Sequence, residues 1–142
     1  MSYEEKRTWV YLVASAGAYG TYLSIIFARG AHIPLTHVSY GWVLLWTTVG
    51  SMVASTVGQT LVETARPSDS RRTDVRDRDI SRRGEHIGRW FVIAGAAAAF
   101  GMAIVRWDYF WIANVIYLGF VLWAVVGSAV KLVAYRRGLS PT

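Results

Sequence analysis

Three groups of residues in this sequence have the types and spacing to do chemistry. The first is a run of alternating charge, TDVRDRDISRRGEHIGRW, from Thr73 to Trp90. Asp74, Arg76, Asp77, Arg78 and Asp79 lead it, and Arg82, Arg83 and Glu85 follow. On a helix, i, i+4 spacing would pair Asp74 with Arg78, Asp79 with Arg83 and Glu85 with Arg89, each pair contributing about 0.2–0.5 kcal/mol. Asp74 is placed to cap that helix, with its carboxylate at the positive end of the dipole. The run reads as a structural or regulatory motif, a solvated, salt-bridged helix leading into an apolar one. No catalytic residue is assigned within it.

The second group is a polar stripe. Thr47, Ser51 and Ser55 recur at i, i+4 and i+8, with Gln59 one turn further on and Thr48 beside them. Asn114 is the other strongly polar side chain inside an apolar stretch. These residues could line a ligand cleft or a pore, but membrane helices more often use them to bond to one another. Serine and threonine can return their hydroxyls to the preceding turn. Gln59 and Asn114 are costlier and are expected to bond across helices or face water.

The third group is His32 and His37, five residues apart around Pro34. Imidazole is a common zinc or copper ligand. Without a third ligand in the same loop the pair reads as two interfacial histidines, and neither a metal nor a cofactor is assigned. The chain has no cysteine, which removes thiolate metal sites, disulfides and cysteine nucleophiles. No Ser-His-Asp set, phosphate loop or paired-carboxylate site can be assembled, so the chain is expected not to be an enzyme.

The elements that carry these groups are four apolar stretches free of Asp and Glu, at about 9–29, 38–62, 87–106 and 109–135, with a charged segment at 63–86. Each approaches the ~20 residues a helix needs to cross a hydrocarbon core about 30 Å thick. In lipid a helix satisfies its own backbone within one segment. Together with 54% apolar residues and 7 Trp, this predicts a single all-α domain over residues 1–142, an integral membrane four-helix bundle. No removable signal peptide is expected.

The arginines set the expected orientation. Lys6, Arg7, the arginines between 66 and 89, and Lys131, Arg136 and Arg137 flank one set of helix ends, whereas Arg29 and Arg106 alone border the other. The positive-inside rule then puts both termini and the 63–86 segment in the cytoplasm of a multi-pass plasma-membrane protein. The net charge of +6 is a topology signal with anionic headgroups as its partner, and no nucleic-acid partner is expected. VSYGWVLLWTTVGSMV from Val38 matches VIYLGFVLWAVVGSAV from Val115, including Trp46 with Trp123, Gly50 with Gly127 and Ser51 with Ser128. A duplicated helical hairpin, its copies related by an axis along the membrane normal, is the expectation. Small residues at four-residue spacing mark expected packing faces at Ala16/Gly20, Gly50/Ala54/Gly58 and Ala97/Gly101.

The Thr73–Trp90 string resembles a family of small bacterial integral membrane proteins of unknown function, marked by a D-E-R-D-x-x-I-like motif before a transmembrane helix. Asp74, Arg76, Asp77 and Ile80 match its core, and Arg83, Gly84, Glu85, Ile87 and Gly88 match an R-x-G-E-x-I-G continuation, while Val75 replaces the acidic second residue. The resemblance implies the four-helix layout and no particular activity.

Two functional expectations result. One is a non-enzymatic binding or regulatory module whose bundle engages a lipid, a small apolar ligand or a membrane partner, its Asp/Arg segment acting on a cytoplasmic partner. The alternative is a small dimeric channel or facilitative transporter lined by the Thr47–Gln59 stripe. The absence of an intramembrane carboxylate removes proton-coupled antiport. A homodimer is compatible with either.

Overall fold

The computed structural model describes residues 3–65 and 75–137. It contains α1 (Tyr3–Arg29), a 3-10 turn (Leu35–His37), α2 (Gly41–Ala65), α3 (Val75–Ile104) and α4 (Tyr109–Arg137), with no strand among the described residues. The helices overrun the apolar stretches. α1 starts six residues before Trp9, with Glu4 and Glu5 in its first turn, where the helix dipole favours negative charge. α3 takes in the charged run from Val75 onward without a break. Hydropathy marks only the portion of a helix matched to lipid. The polar turns beyond it are held by packing, as Ile80, buried at the foot of α3, indicates.

Three helices are long and apolar enough to cross a membrane: Glu4–Arg29, Asp77–Ile104 and Tyr109–Arg136. α2 is not among them, because Thr47, Thr48, Ser51, Ser55, Thr56 and Gln59 dilute its apolar content. Its packing nevertheless makes it coextensive with α1. Arg7 Nε donates to Gln59 Oε1 at 2.7 Å at one end, and Arg29 Nη1 donates to the Ser39 carbonyl at 3.0 Å at the other.

The helices pack in the order α2, α1, α4, α3: α1 lies against α2 and α4, and α3 lies chiefly against α4. α1 and α3 begin, and α2 and α4 finish, at one end, here termed basal. The short loops occupy the apical end. The apical turn between α3 and α4 is tight. Asp108 caps α4, accepting the Phe110 N–H at 2.8 Å, and Arg106 adopts a left-handed φ of 56° as α3 ends.

Small residues do bring helices together, but not at the phases expected. Gly20, Gly50 and Gly101 face open space, and Ala16, Ala54 and Ala97 are exposed. The close approach is α3 on α4. A methyl group at Gly84 would lie 2.7 Å from the Gly127 carbonyl oxygen, and one at Gly95 would lie 3.2 Å from Gly119 Cα. Gly88 sits under the Trp123 indole, and Ala99 completes the buried line. Within the Ala94–Gly101 run the contact therefore passes through Gly95 and Ala99, two residues out of phase with Ala97 and Gly101. In α2, Gly58 alone of the expected trio is in contact, with Val10 of α1.

Candidate functional site

At the basal end the four helices enclose a polar recess of about 330 Å³. Glu4, Arg7, Thr8 and Tyr11 of α1 form one wall and Gln59 of α2 another; Ser81 and Glu85 come from α3, and Trp123, Ser128 and Lys131 from α4. Both signs of charge are present in equal number, Glu4 and Glu85 against Arg7 and Lys131. Lys131 Nζ lies 3.4 Å from Glu85 Oε1, which also accepts from Ser81 Oγ at 3.2 Å. Arg7 is held by Gln59. Arg136 lies over the Trp9 ring, 5.9 Å from its centroid, tying the end of α4 to the start of α1.

A second chamber of about 340 Å³ lies deeper, between α1, α2 and α4. It shares Tyr11, Trp123 and Ala124 with the basal recess and adds Ser15, Thr48, Ser51, Met52, Tyr117 and Phe120. Thr48 returns its hydroxyl to the Leu44 carbonyl, whereas no hydrogen bond of the Ser15 or Ser51 hydroxyl is found among the described residues. These serines are therefore the groups free to meet a guest. Tyr11 and Trp123 stand where the two spaces meet.

Above this chamber the apical half is filled by aromatic rings. Tyr22 is fully buried, and its hydroxyl donates to Asn114 Oδ1 at 2.7 Å; Asn114 Nδ2 donates in turn to the Phe110 carbonyl at 2.8 Å. Tyr117 meets the Tyr22 ring edge-on at 5.1 Å and donates to Thr47 Oγ1 at 3.3 Å. Tyr19 stacks beside Tyr22, and Tyr40 packs edge-on against Phe110. With Ile26, Val38 and Val43 these rings form a continuous core. The tyrosine cluster thus bounds the second chamber on its apical side, while the exposed Met52 and Phe120 in its lining leave it open at the flank.

The polar stripe of α2 turns toward α1 and α4. Gln59 and Asn114 both bond across helices, to Arg7 and Tyr22. Thr47 joins α4 through Tyr117, Ser51 lines the deep chamber, and Gln59 lines the mouth. Ser55, between them, is buried with no partner for its hydroxyl. Every threonine on α2 instead bonds to a carbonyl one turn back.

The charged run behaves differently from its i, i+4 reading. Asp74 lies outside the described residues, so its capping role and its pair with Arg78 do too; of Arg76 only the helical backbone is described. Asp79 and Arg83 are exposed and make no ion pair among the described residues, and Glu85 turns to Lys131 rather than Arg89. A partner on a neighbouring helix, half-shielded from water, outcompetes one on the same exposed face. Asp77 faces the Tyr135 hydroxyl of α4. Arg78 and Arg82 are exposed. His32 and His37 are exposed at the apical end, and no group of three metal-ligating side chains occurs among the described residues.

Sequence reasoning missed Glu4, Arg7, Tyr11, Trp123, Ser128 and Lys131. Arg7 and Lys131 have an adequate explanation in the orientation of the helices, and Trp123 in the repeat. The W-x-x-V-G-S strings occupy unlike places: Trp123 and Gly127 receive α3, whereas Trp46 and Gly50 face outward. No family model, curated protein or solved structure matches the chain.

Proposed function

We propose that this chain is a non-enzymatic integral membrane protein that binds a small amphipathic ligand from the cytoplasmic side. The observation that carries this reading is a pair of adjoining spaces, a charge-balanced basal recess and a chamber walled by Tyr11, Met52, Tyr117, Phe120 and Trp123, which share Tyr11, Trp123 and Ala124 as lining. Two acidic and two basic side chains at the mouth suit a zwitterionic or neutral polar group and disfavour selection of ions of one sign. The aromatic and apolar walls beneath suit a short hydrocarbon body. The arginine asymmetry of the sequence supports a cytoplasmic basal end, and the resemblance to the small bacterial membrane family is compatible with it. Conversion of a substrate has no support from these residues, since no base, nucleophile and oxyanion donor converge in either space.

A facilitative transporter is the second reading. It is favoured by the partner-free hydroxyls of Ser15 and Ser51 in the deep chamber. It requires the Tyr22–Asn114 and Tyr117–Thr47 bonds to open on the apical side, so that the bound ligand meets each face in turn. The stripe's direction toward α1 and α4 supports a route within one chain over one at a dimer axis.

The test uses a zwitterionic, single-chain amphiphile carrying a nitroxide, added to the purified protein, with the fluorescence difference between wild type and Trp123→Phe reporting on the chamber wall. Saturable quenching, weakened about tenfold by Lys131→Gln combined with Arg7→Gln, is expected. Quenching that rises linearly and is the same in both proteins would remove the binding site. Saturable binding accompanied by flux of the amphiphile across proteoliposomes would select the transporter reading.

A further inference from the structure

On a flank lined by α3 and α4 alone lies an open groove of about 990 Å³. Its rim carries Arg82, Arg83, His86 and Arg89, and its floor is Ile87, Val126, Val130 and Val133 with neighbouring small residues. Among the described residues the three arginines have no carboxylate partner, and Glu85, the one acid at the rim, is engaged by Lys131 on the other side of the helix pair. The charge pattern is therefore one-signed, unlike that of the basal recess. Arg89 stands roughly 10 Å further along α3 than Arg82, at the 1.5 Å rise per residue of a helix. The basic groups thus follow the groove inward from the headgroup level instead of capping its top.

We propose that this groove is a specific site for one anionic phospholipid of the cytoplasmic leaflet. Its phosphate is taken by Arg82 and Arg83, Arg89 adds positive charge further along the groove, and an acyl chain lies along Ile87, Val126 and Val130. Guanidinium groups bind phosphate through paired hydrogen bonds, and at headgroup depth these are partly shielded from water. An apolar floor continuous with a basic rim matches a lipid, in which phosphate and hydrocarbon are covalently joined, rather than a free anion, which has no use for the valines. Basic recesses between helices on the cytoplasmic side are a known physical solution to headgroup recognition. The site is separate from the cavity proposed above and does not depend on its ligand.

The experiment measures binding of phosphatidylglycerol and phosphatidylcholine to the purified full chain in detergent, with bound lipid counted by native mass spectrometry. Phosphatidylglycerol should bind with a stoichiometry of one and on the order of tenfold more tightly. Arg82→Gln combined with Arg89→Gln should abolish that preference, whereas Arg78→Gln, which lies outside the groove, should preserve it. Ala129→Phe fills the exposed floor without altering charge and should weaken phosphatidylglycerol binding while leaving the melting temperature unchanged. Equal affinity for the two lipids would overturn the proposal. So would an equal effect of Arg78→Gln, which would mean diffuse surface attraction, or full competition by inorganic phosphate with no effect of Ala129→Phe, which would mean a site for free phosphate.

Discussion

The Tyr22 phenol on α1 and the Asn114 side chain on α4 form a hydrogen bond of 2.7 Å at the most buried point of the molecule. The bond joins the two hairpins, and its acceptor is itself anchored to the Phe110 carbonyl. Side-chain bonds between membrane helices contribute on average about 0.6 kcal/mol, with a maximum near 1.7. Tyr22→Phe should fall toward the upper end of that range, because it leaves a buried amide oxygen unpaired. In a double-mutant cycle with Asn114→Leu, measured by thermal or denaturant unfolding in detergent, the two losses should be less than additive. Full additivity would mean that the bond has no role in joining α1 to α4.

Gly84 and Gly88 should be far less replaceable than Gly50 and Gly101. A side chain at Gly84 meets the Gly127 backbone, and one at Gly88 meets Trp123. Gly84→Val or Gly88→Val should cost about 1–3 kcal/mol by overpacking. Gly50→Ala and Gly101→Ala, with open space around them, should leave unfolding unchanged or raise stability slightly through helix propensity. The comparison is made by melting temperature across the four variants.

Ser55 should be better as alanine. Its hydroxyl is buried without a partner, so Ser55→Ala removes an unpaired polar group at little cost in volume. Stability should rise by about 1 kcal/mol or stay level. A marked loss in an unfolding titration would mean that the hydroxyl has a bound partner in the folded protein.

The foot of α3 provides another comparison. Asp77 faces Tyr135, so Asp77→Asn should lower stability by about 0.5–1.5 kcal/mol. Tyr135→Phe should add little to it. Arg78→Gln and Asp79→Asn, both exposed, should change melting by far less.

These contrasts separate what was legible in the sequence from what was not. Four helices could be read because long apolar stretches are displayed directly by local sequence, although only three of them are long and apolar enough to cross a membrane. The interhelical bonds of Gln59 and Asn114 were legible for a similar reason, since an amide in an apolar helix must find a partner. Which small-residue phase faces a neighbour was not legible. Ala97/Gly101 and Gly95/Ala99 have the same spacing, and only the position of α4 selects between them. The basal recess was hidden because it is assembled from residues as far apart as Glu4, Gln59, Glu85 and Lys131, each of which has an adequate local explanation. Glu85 illustrates the limit: its partner by spacing was Arg89, and its partner in space is Lys131.

The central claim is a cavity reached from the cytoplasmic face and closed on the other by the tyrosine cluster. It is tested most directly by single cysteines, which the cysteine-free sequence makes unambiguous. Ser128→Cys marks the mouth, Ser15→Cys the deep chamber, and Ser39→Cys the apical surface. With a small membrane-impermeant thiol reagent, Ser128→Cys and Ser15→Cys should be modified in inside-out vesicles and protected in intact cells, while Ser39→Cys shows the reverse. Modification of Ser15→Cys from outside intact cells, or its complete protection in inside-out vesicles while Ser128→Cys reacts, would contradict the account.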